Sequence, residues 1–218
     1  MNLSDLITAY RDEARDTAKP PFVSDATARR YANQAESEAC RRARLLIDST
    51  SEFCEIEFSA GESVIELDSR IISIRQAVTS LSPRPLRKRL VRDMDDQFPG
   101  WDSSDNRSIP LVIVTDYETT TIRLYPPPRE DGVLRLTAAR EPMKEMASQN
   151  DEPEISRRYH DALVEWIKYR AFSASDSDLY DPKKAAQALA EFEAEFGPPV
   201  SAAEEQFSFE HYDDVGER

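Results

Sequence analysis

Nucleophilic catalysis of the Ser/His/Asp or Cys/His kind needs an imidazole placed as a base, and this chain of 218 residues has two histidines, His160 and His211. His160 follows Tyr159 inside a helical pattern, where a packing or partly exposed role is expected. His211 lies in an acidic stretch without a period. Cys40 and Cys54 fall in an expected helix and an expected strand with no CxxC spacing, and both read as small buried hydrophobes. Neither GxxxxGK[ST] nor GxGxxG occurs among the five glycines, so the loops that cradle nucleotide phosphates are missing. Asp176, Asp178 and Asp181 form D-x-D-x-x-D. A calcium loop counted from Asp176 would need Gly where Asp181 stands and Glu where Gln187 stands, so helix capping accounts for these residues better. No catalytic, metal-binding or cofactor-binding residue is assigned, no cofactor is expected, and the chain is not expected to be an enzyme.

The charged residues carry more. A net charge of −14 argues against a general nucleic-acid binder, because non-specific affinity for DNA requires clustered Lys and Arg that displace condensed counterions. Against that background Arg84, Arg87, Lys88, Arg89 and Arg92 stand together beside Asp93, Asp95 and Asp96. Such a cluster is either a solvated loop or one half of a head-to-tail protein interface, in which a positive patch meets a negative patch of the next copy. Arg41, Arg42 and Arg44 admit the same two readings, although Glu38 and Arg42 also have the spacing of an ordinary i,i+4 ion pair.

The elements that must position these residues are legible from periodicity. Leu3, Leu6, Ile7 and Tyr10 share a helical face that Lys19-Pro20-Pro21 stops. Ser24 caps a second helix whose Ala28, Tyr31, Ala32, Ala35, Ala39, Ala43 and Leu46 recur to about Ile47, a face small enough for close helix approach. From Phe53 the period changes to two. Cys54, Ile56 and Phe58, then Ile65 and Leu67 after Gly61, predict a β-hairpin; Ile71, Ile72, Ile74 and Val78 predict a further strand. Leu111-Val112-Ile113-Val114 predicts a strand buried on both faces. Ile122 and Leu124 face the core on one strand and Leu134 and Leu136 on the next, with the Pro-rich link through Asp131-Gly132 making the reversal. Near the C-terminus a helical hairpin is expected. Its first helix starts at Pro153 and carries Ile155, Tyr159, Leu163, Trp166 and Ile167; its second opens on Asp181-Pro182 and closes at Gly197.

Together these predict an α+β protein: a helical bundle built from both chain ends, 1–51 and 143–197, an inserted antiparallel β domain over 52–142, and an extended acidic C-terminal arm over 198–218. No charged-plus-apolar leader and no apolar run of spanning length stands out, so neither secretion by a standard signal nor contact with a membrane is expected. Aromatic residues set in the acidic arm, Phe207, Phe209 and Tyr212, are candidates to dock on a partner.

Three segments in order give a family resemblance: FVSDATARRYANQAESEACRRARLL near the start, IRLYPPPREDGVLRLTAAREP, and EISRRYHDALVEWIKYRAFSASDSDLYDPKKAAQALAEFEAEFG. Over roughly 20–197 the chain resembles the adaptor, or head-to-tail connector, proteins of tailed bacteriophages, especially those of short-tailed phages whose ring joins portal to tail. The landmarks are Asn33 to Glu36, Cys40 to Arg42, Leu124 with prolines 126–128, Asp131-Gly132, Tyr159-His160, Trp166 and Phe192 to Gly197. The loop around 80–108 and the tail beyond 198 carry none of it. The resemblance implies a structural virion protein at the neck, synthesised in the host cytoplasm. It would be a homo-oligomeric, dodecameric ring that sits on the portal protein, receives tail nozzle or tail-fibre proteins and extends a channel through which genomic DNA passes without specific binding. It also implies that the arm, with Phe207, Phe209 and Tyr212, binds portal. Arg87, Lys88, Arg89, Arg92, Arg41 and Arg42 are then the candidate inter-subunit residues. The competing expectations are a virion-associated cell-wall hydrolase using a carboxylate pair and an acidic DNA-mimic binding module.

Overall fold

Asn2 starts the first helix, α1 (Leu3–Ala14), through a reciprocal cap: its side chain accepts the Asp5 amide at 2.9 Å while the Asp5 carboxylate accepts the Asn2 amide at 3.0 Å. The helix ends at Arg15 in the left-handed region, φ 58°, before the Lys19-Pro20-Pro21 stop is reached. Asp16, buried, then shapes the link by accepting the amides of Phe22 and Val23 and the Tyr10 hydroxyl. Helix α2 (Asp25–Ala43) opens on Ser24, whose hydroxyl accepts the Thr27 amide. Ala28, Ala32, Ala35 and Ala39 are fully buried along it. It stops at a left-handed Arg44, short of the expected Ile47, and Leu46–Asp48 forms strand β1 instead.

In this computed structural model, which describes residues 1–118, 120–175 and 178–200, the chain divides into two compact units, Met1–Leu46 with Glu141–Val200 and Ile47–Arg140. The first holds α1, α2, α4 (His160–Phe172) and α5 (Pro182–Phe196), with α4 packed against each of the other three. Helix α5 has the expected ends, Asp181 accepting the Lys183 and Lys184 amides and Gly197 closing it. Helix α4 starts seven residues later than the expected Pro153. The reason lies in two side chains: Glu36 on α2 accepts the amides of Glu154 and Ile155, and the His160 Nε2 takes the Ile155 carbonyl that a helix would have given to a backbone amide.

Burial pushes the Glu36 carboxyl up, against the pull of those two amides. A carboxyl raised in the folded state stabilises below its unfolded pKa and loses that contribution as pH rises through the folded value. Glu36→Gln keeps an acceptor without a buried charge, so it should equal or exceed the parent in urea melts at about pH 8, while Glu36→Ala should cost about 1–3 kcal/mol for the unpaired amides. Equal losses in the two variants at that pH would refute this account.

The second unit contains two sheets around one core. Strand β8 (Gly132–Arg140) pairs with β1, β2 (Glu55–Phe58) and β4 (Ile71–Thr79); the other sheet has the order β3 (Val64–Glu66), β7 (Thr121–Tyr125), β6 (Val112–Glu118), β5 (Arg87–Arg89). Both sheets contribute to the core, with Phe58, Ile74, Leu134 and Leu136 from one and Ile65, Ile113, Ile122 and Leu124 from the other. Neither expected hairpin forms. Strand β2 goes to β8 and β3 to β7, while β7 and β8 lie in different sheets. Alternation states which side chains enter the core; it leaves open which strand edge pairs, and a core shared by two sheets satisfies the pattern equally well. Gly61, at φ 86°, donates its amide to the Pro128 carbonyl where the chain changes sheets. Gly132 has a different use, since a Cβ there would come within 2.6 Å of the Phe58 ring.

The expected antiparallel order holds for β2 and β4 on β8, β3 on β7 and β6 on β7, but β5 runs parallel to β6. The connection from β5 to β6 contains helix α3 (Val91–Gln97) and a 3-10 turn at Trp101–Ser103, and a crossover of this kind allows a parallel neighbour. Met94 and Trp101 cover Val112 and Val114 while Ile113 points into the core between the sheets, so β6 is buried on both faces as expected. Leu111, assigned to that buried run, is 58% exposed and precedes the strand.

Candidate functional site

The basic cluster of 84–92 forms one end of a sheet. Arg87, exposed, and Lys88 and Arg89, half-buried, make up β5, the terminal strand next to β6. Lys88 reaches across to the other sheet, its Nζ donating to the Ile74 carbonyl at 3.0 Å. The Arg87 amide donates to the Leu111 carbonyl, so by the alternation of a strand Lys88 turns its backbone amide and carbonyl outward. Arg92 lies on α3, 72% exposed and 3.6 Å from Asp93. The acidic half of the cluster has other work: Asp95 accepts the Trp101 indole N–H at 2.9 Å.

At the opposite end of the same sheet stands β3. The Leu124 amide donates to the Ser63 carbonyl and the Leu67 amide to the Thr120 carbonyl, which turns the backbone groups of Val64 and Glu66 away from β7. Val64 and Glu66 are exposed, as is Glu62 just before them. The sheet therefore ends in a basic strand on one side and an acidic one on the other, and the relation between them could not be read from the chain because β3 and β5 are joined only through β7 and β6.

The other predicted arginines separate. Arg42 is 3% exposed at its side chain: Nε donates to Glu38 at 2.8 Å, Nη1 to the Gly197 carbonyl at 3.0 Å, and the guanidinium lies over the rings of Trp166 and Phe192. Of its two readings the i,i+4 pair is realised, and a buried Arg42 cannot also contact another copy. Arg41 is more accessible and shares Glu38. Burial tends to raise the Glu38 carboxyl, but the two guanidiniums outweigh it and hold the group below its ordinary value.

Arg41 also borders a groove of about 670 Å³ along α2 and α4. Arg29, Arg30 and Arg170 line it as well, and both Arg30 and Arg170 stack over the Tyr31 ring, at 5.4 and 5.3 Å. Two of its lining residues, Gln34 and Trp166, each carry a buried polar atom, Oε1 and Nε1, with no hydrogen-bond partner among the described residues. The sequence held a signal for this groove in the spacing of Arg30, Gln34, Ser37 and Arg41, a polar stripe on the helix whose other face is alanine.

His160 is buried, more so than expected, with Nδ1 2.9 Å from the Met1 amine and Nε2 3.0 Å from the Ile155 carbonyl. Both cysteines are buried and free, and burial pushes the Cys54 thiol up, which opposes reactivity. Among the described residues no group of three or more His, Cys, Asp and Glu side chains is placed to hold a metal, and no helix is long and apolar enough to cross a membrane. Phe207, Phe209, Tyr212 and His211 lie outside the described residues, as does Asp176.

A family model described as SU10 adaptor protein matches residues 1–208. No curated protein matches the chain.

Proposed function

The chain belongs to the SU10 adaptor protein family, structural components of bacteriophage particles that assemble with portal and tail parts, and on that premise we propose that it builds a closed head-to-tail ring between portal and tail. The ring is a dodecamer in the short-tailed manner, extends the DNA channel at the neck and receives nozzle or fibre proteins on its far side. The observation that supports this reading is the polarity of the four-stranded sheet, with Arg87 to Arg89 on one terminal strand and Glu66 on the other. A heterologous interface needs two different, complementary patches on every copy, and closure follows when the rotation between copies completes a circle. The acidic net charge suits a conduit, since it repels the DNA backbone and avoids arresting it. The arm from 198, with Phe207, Phe209 and Tyr212, is the portal-binding piece, and twelvefold repetition of modest contacts supplies the avidity.

Electron microscopy of the protein mixed with its cognate portal tests the assignment. A ring capping the portal is the expected image, and absence of binding in either order of addition would sink it. Deletion of 199–218 should leave the fold intact and weaken portal binding; undiminished binding would remove the arm from this role.

A further inference from the structure

The groove between α2 and α4 has features that its own unit does not satisfy. A buried indole N–H without an acceptor and a buried amide oxygen without a donor each cost free energy that a ligand with both kinds of group would recover. Arg29, Arg30, Arg41 and Arg170 add positive charge, and Trp166 adds an aromatic wall. Glu38, Glu141 and Glu145 line the same groove, so a simple polyanion is a poorer fit than a peptide that alternates carboxylates with rings and backbone groups.

The chain contains such a peptide. Residues 201–218, SAAEEQFSFEHYDDVGER, hold six carboxylates against one arginine, with two phenylalanines and a tyrosine among them. It also leaves from the right place. The carbonyl of Gly197 is held by Arg42, and the Arg42 guanidinium lies over Trp166, which lines the groove. Fully extended, a segment of this length reaches roughly 60 Å, so reach from Val200 is not limiting.

We propose that the groove along α2 and α4 is the seat for residues 201–218 of the same chain, which dock there as an acidic, aromatic peptide. Carboxylates at Glu204 and Glu205 pair with the exposed Arg29 and Arg30, a peptide carbonyl or carboxylate accepts the Trp166 N–H, and a peptide amide donates to Gln34. The arm assigned above to the portal then has a place on its own chain before a portal is present. This seat does not depend on the portal reading.

Disulfide trapping in the full chain without portal tests it. Ser37 lines the groove and Ser208 sits between the two phenylalanines, and the native cysteines are buried. A Ser37→Cys/Ser208→Cys chain should oxidise to an internally cross-linked monomer, resolved on a non-reducing gel. Adding Arg29→Glu and Arg30→Glu should lower the yield about tenfold, and further adding Glu204→Arg and Glu205→Arg should restore it. Circular dichroism of each variant checks that the fold is kept. Three results would overturn the proposal: no cross-link in the folded double-cysteine chain, a yield indifferent to the charge changes, or covalent dimers in place of the internal link, which would assign the seat to the arm of a second copy. A portal that binds the chain whatever the cross-link does would leave the functional assignment standing while this one fails.

Discussion

Arg140→Ala is expected to destabilise the β unit by about 3–5 kcal/mol, enough to lower a melting temperature by about 4–8 °C for each kcal/mol in a domain of this size. Arg140 ends β8 and Asp48 ends β1, the strands by which the chain leaves and enters the unit. Arg140 Nε stands 2.7 Å from Asp48 Oδ2, with both side chains nearly withdrawn from solvent. Burial by itself would raise the Asp48 carboxyl, yet the Thr50 amide, the Ser51 hydroxyl, the guanidinium and the Ser51 amide together hold it well below the usual carboxylate range. Without Arg140 the carboxylate remains buried with its countercharge gone, and that uncompensated charge, more than the lost attraction, is the source of the cost. A carboxyl depressed in the folded state contributes stability above its unfolded pKa, near 4, and loses it as pH falls toward the folded value. The parent should therefore weaken in acid more steeply than Asp48→Asn, which has no such carboxyl to protonate. Chemical melts across pH followed by circular dichroism measure both effects. An Arg140→Ala chain within about 1 kcal/mol of the parent near neutral pH would show that water reaches the pair and screens it.

What the sequence disclosed followed the reach of each signal. Caps are local, and so the ends of α5 at Asp181 and Gly197 and the start of α2 at Ser24 were legible. Alternation is local too, and it correctly sent Ile65, Ile122, Leu124, Leu134 and Leu136 to one core while leaving the pairing of their strands undetermined. The start of α4 was misplaced because its determinant, Glu36, sits more than a hundred residues away. Strand β5 was invisible, since three consecutive basic residues have no apolar period, and α3 was too short to register as a helix. Of the candidate site, the arginine cluster was apparent as composition. Its acidic counterpart was not, because nothing in the linear order marks β3 as the far end of the sheet that β5 begins.

That placement yields the largest expected effect on assembly. Arg87→Glu sets a carboxylate of β5 against Glu66 of the next copy, and Glu66→Arg sets a guanidinium of β3 against Arg87, so each variant alone should lose ring formation on the portal by about a hundredfold or more, like charges across an interface costing several kcal/mol. Both residues are exposed, so the fold of each variant should survive. The informative experiment mixes the two. In a head-to-tail ring every contact joins β5 of one copy to β3 of the next, so alternating Arg87→Glu and Glu66→Arg copies restore opposite charges at every joint, and the mixture should form rings that neither variant forms alone. A symmetric interface pairing β5 with β5 behaves otherwise: Arg87→Glu there exchanges one like-charge pair for another and Glu66→Arg is neutral, so no rescue by mixing arises. Sedimentation velocity and electron microscopy on the portal platform read the difference, and failure of the mixture to assemble while each variant remains folded would remove the sheet edges from the joint. Because salt screens exposed charges over about a Debye length, the defect of each single variant should also shrink as ionic strength rises. A defect caused by unfolding would have no reason to follow that dependence.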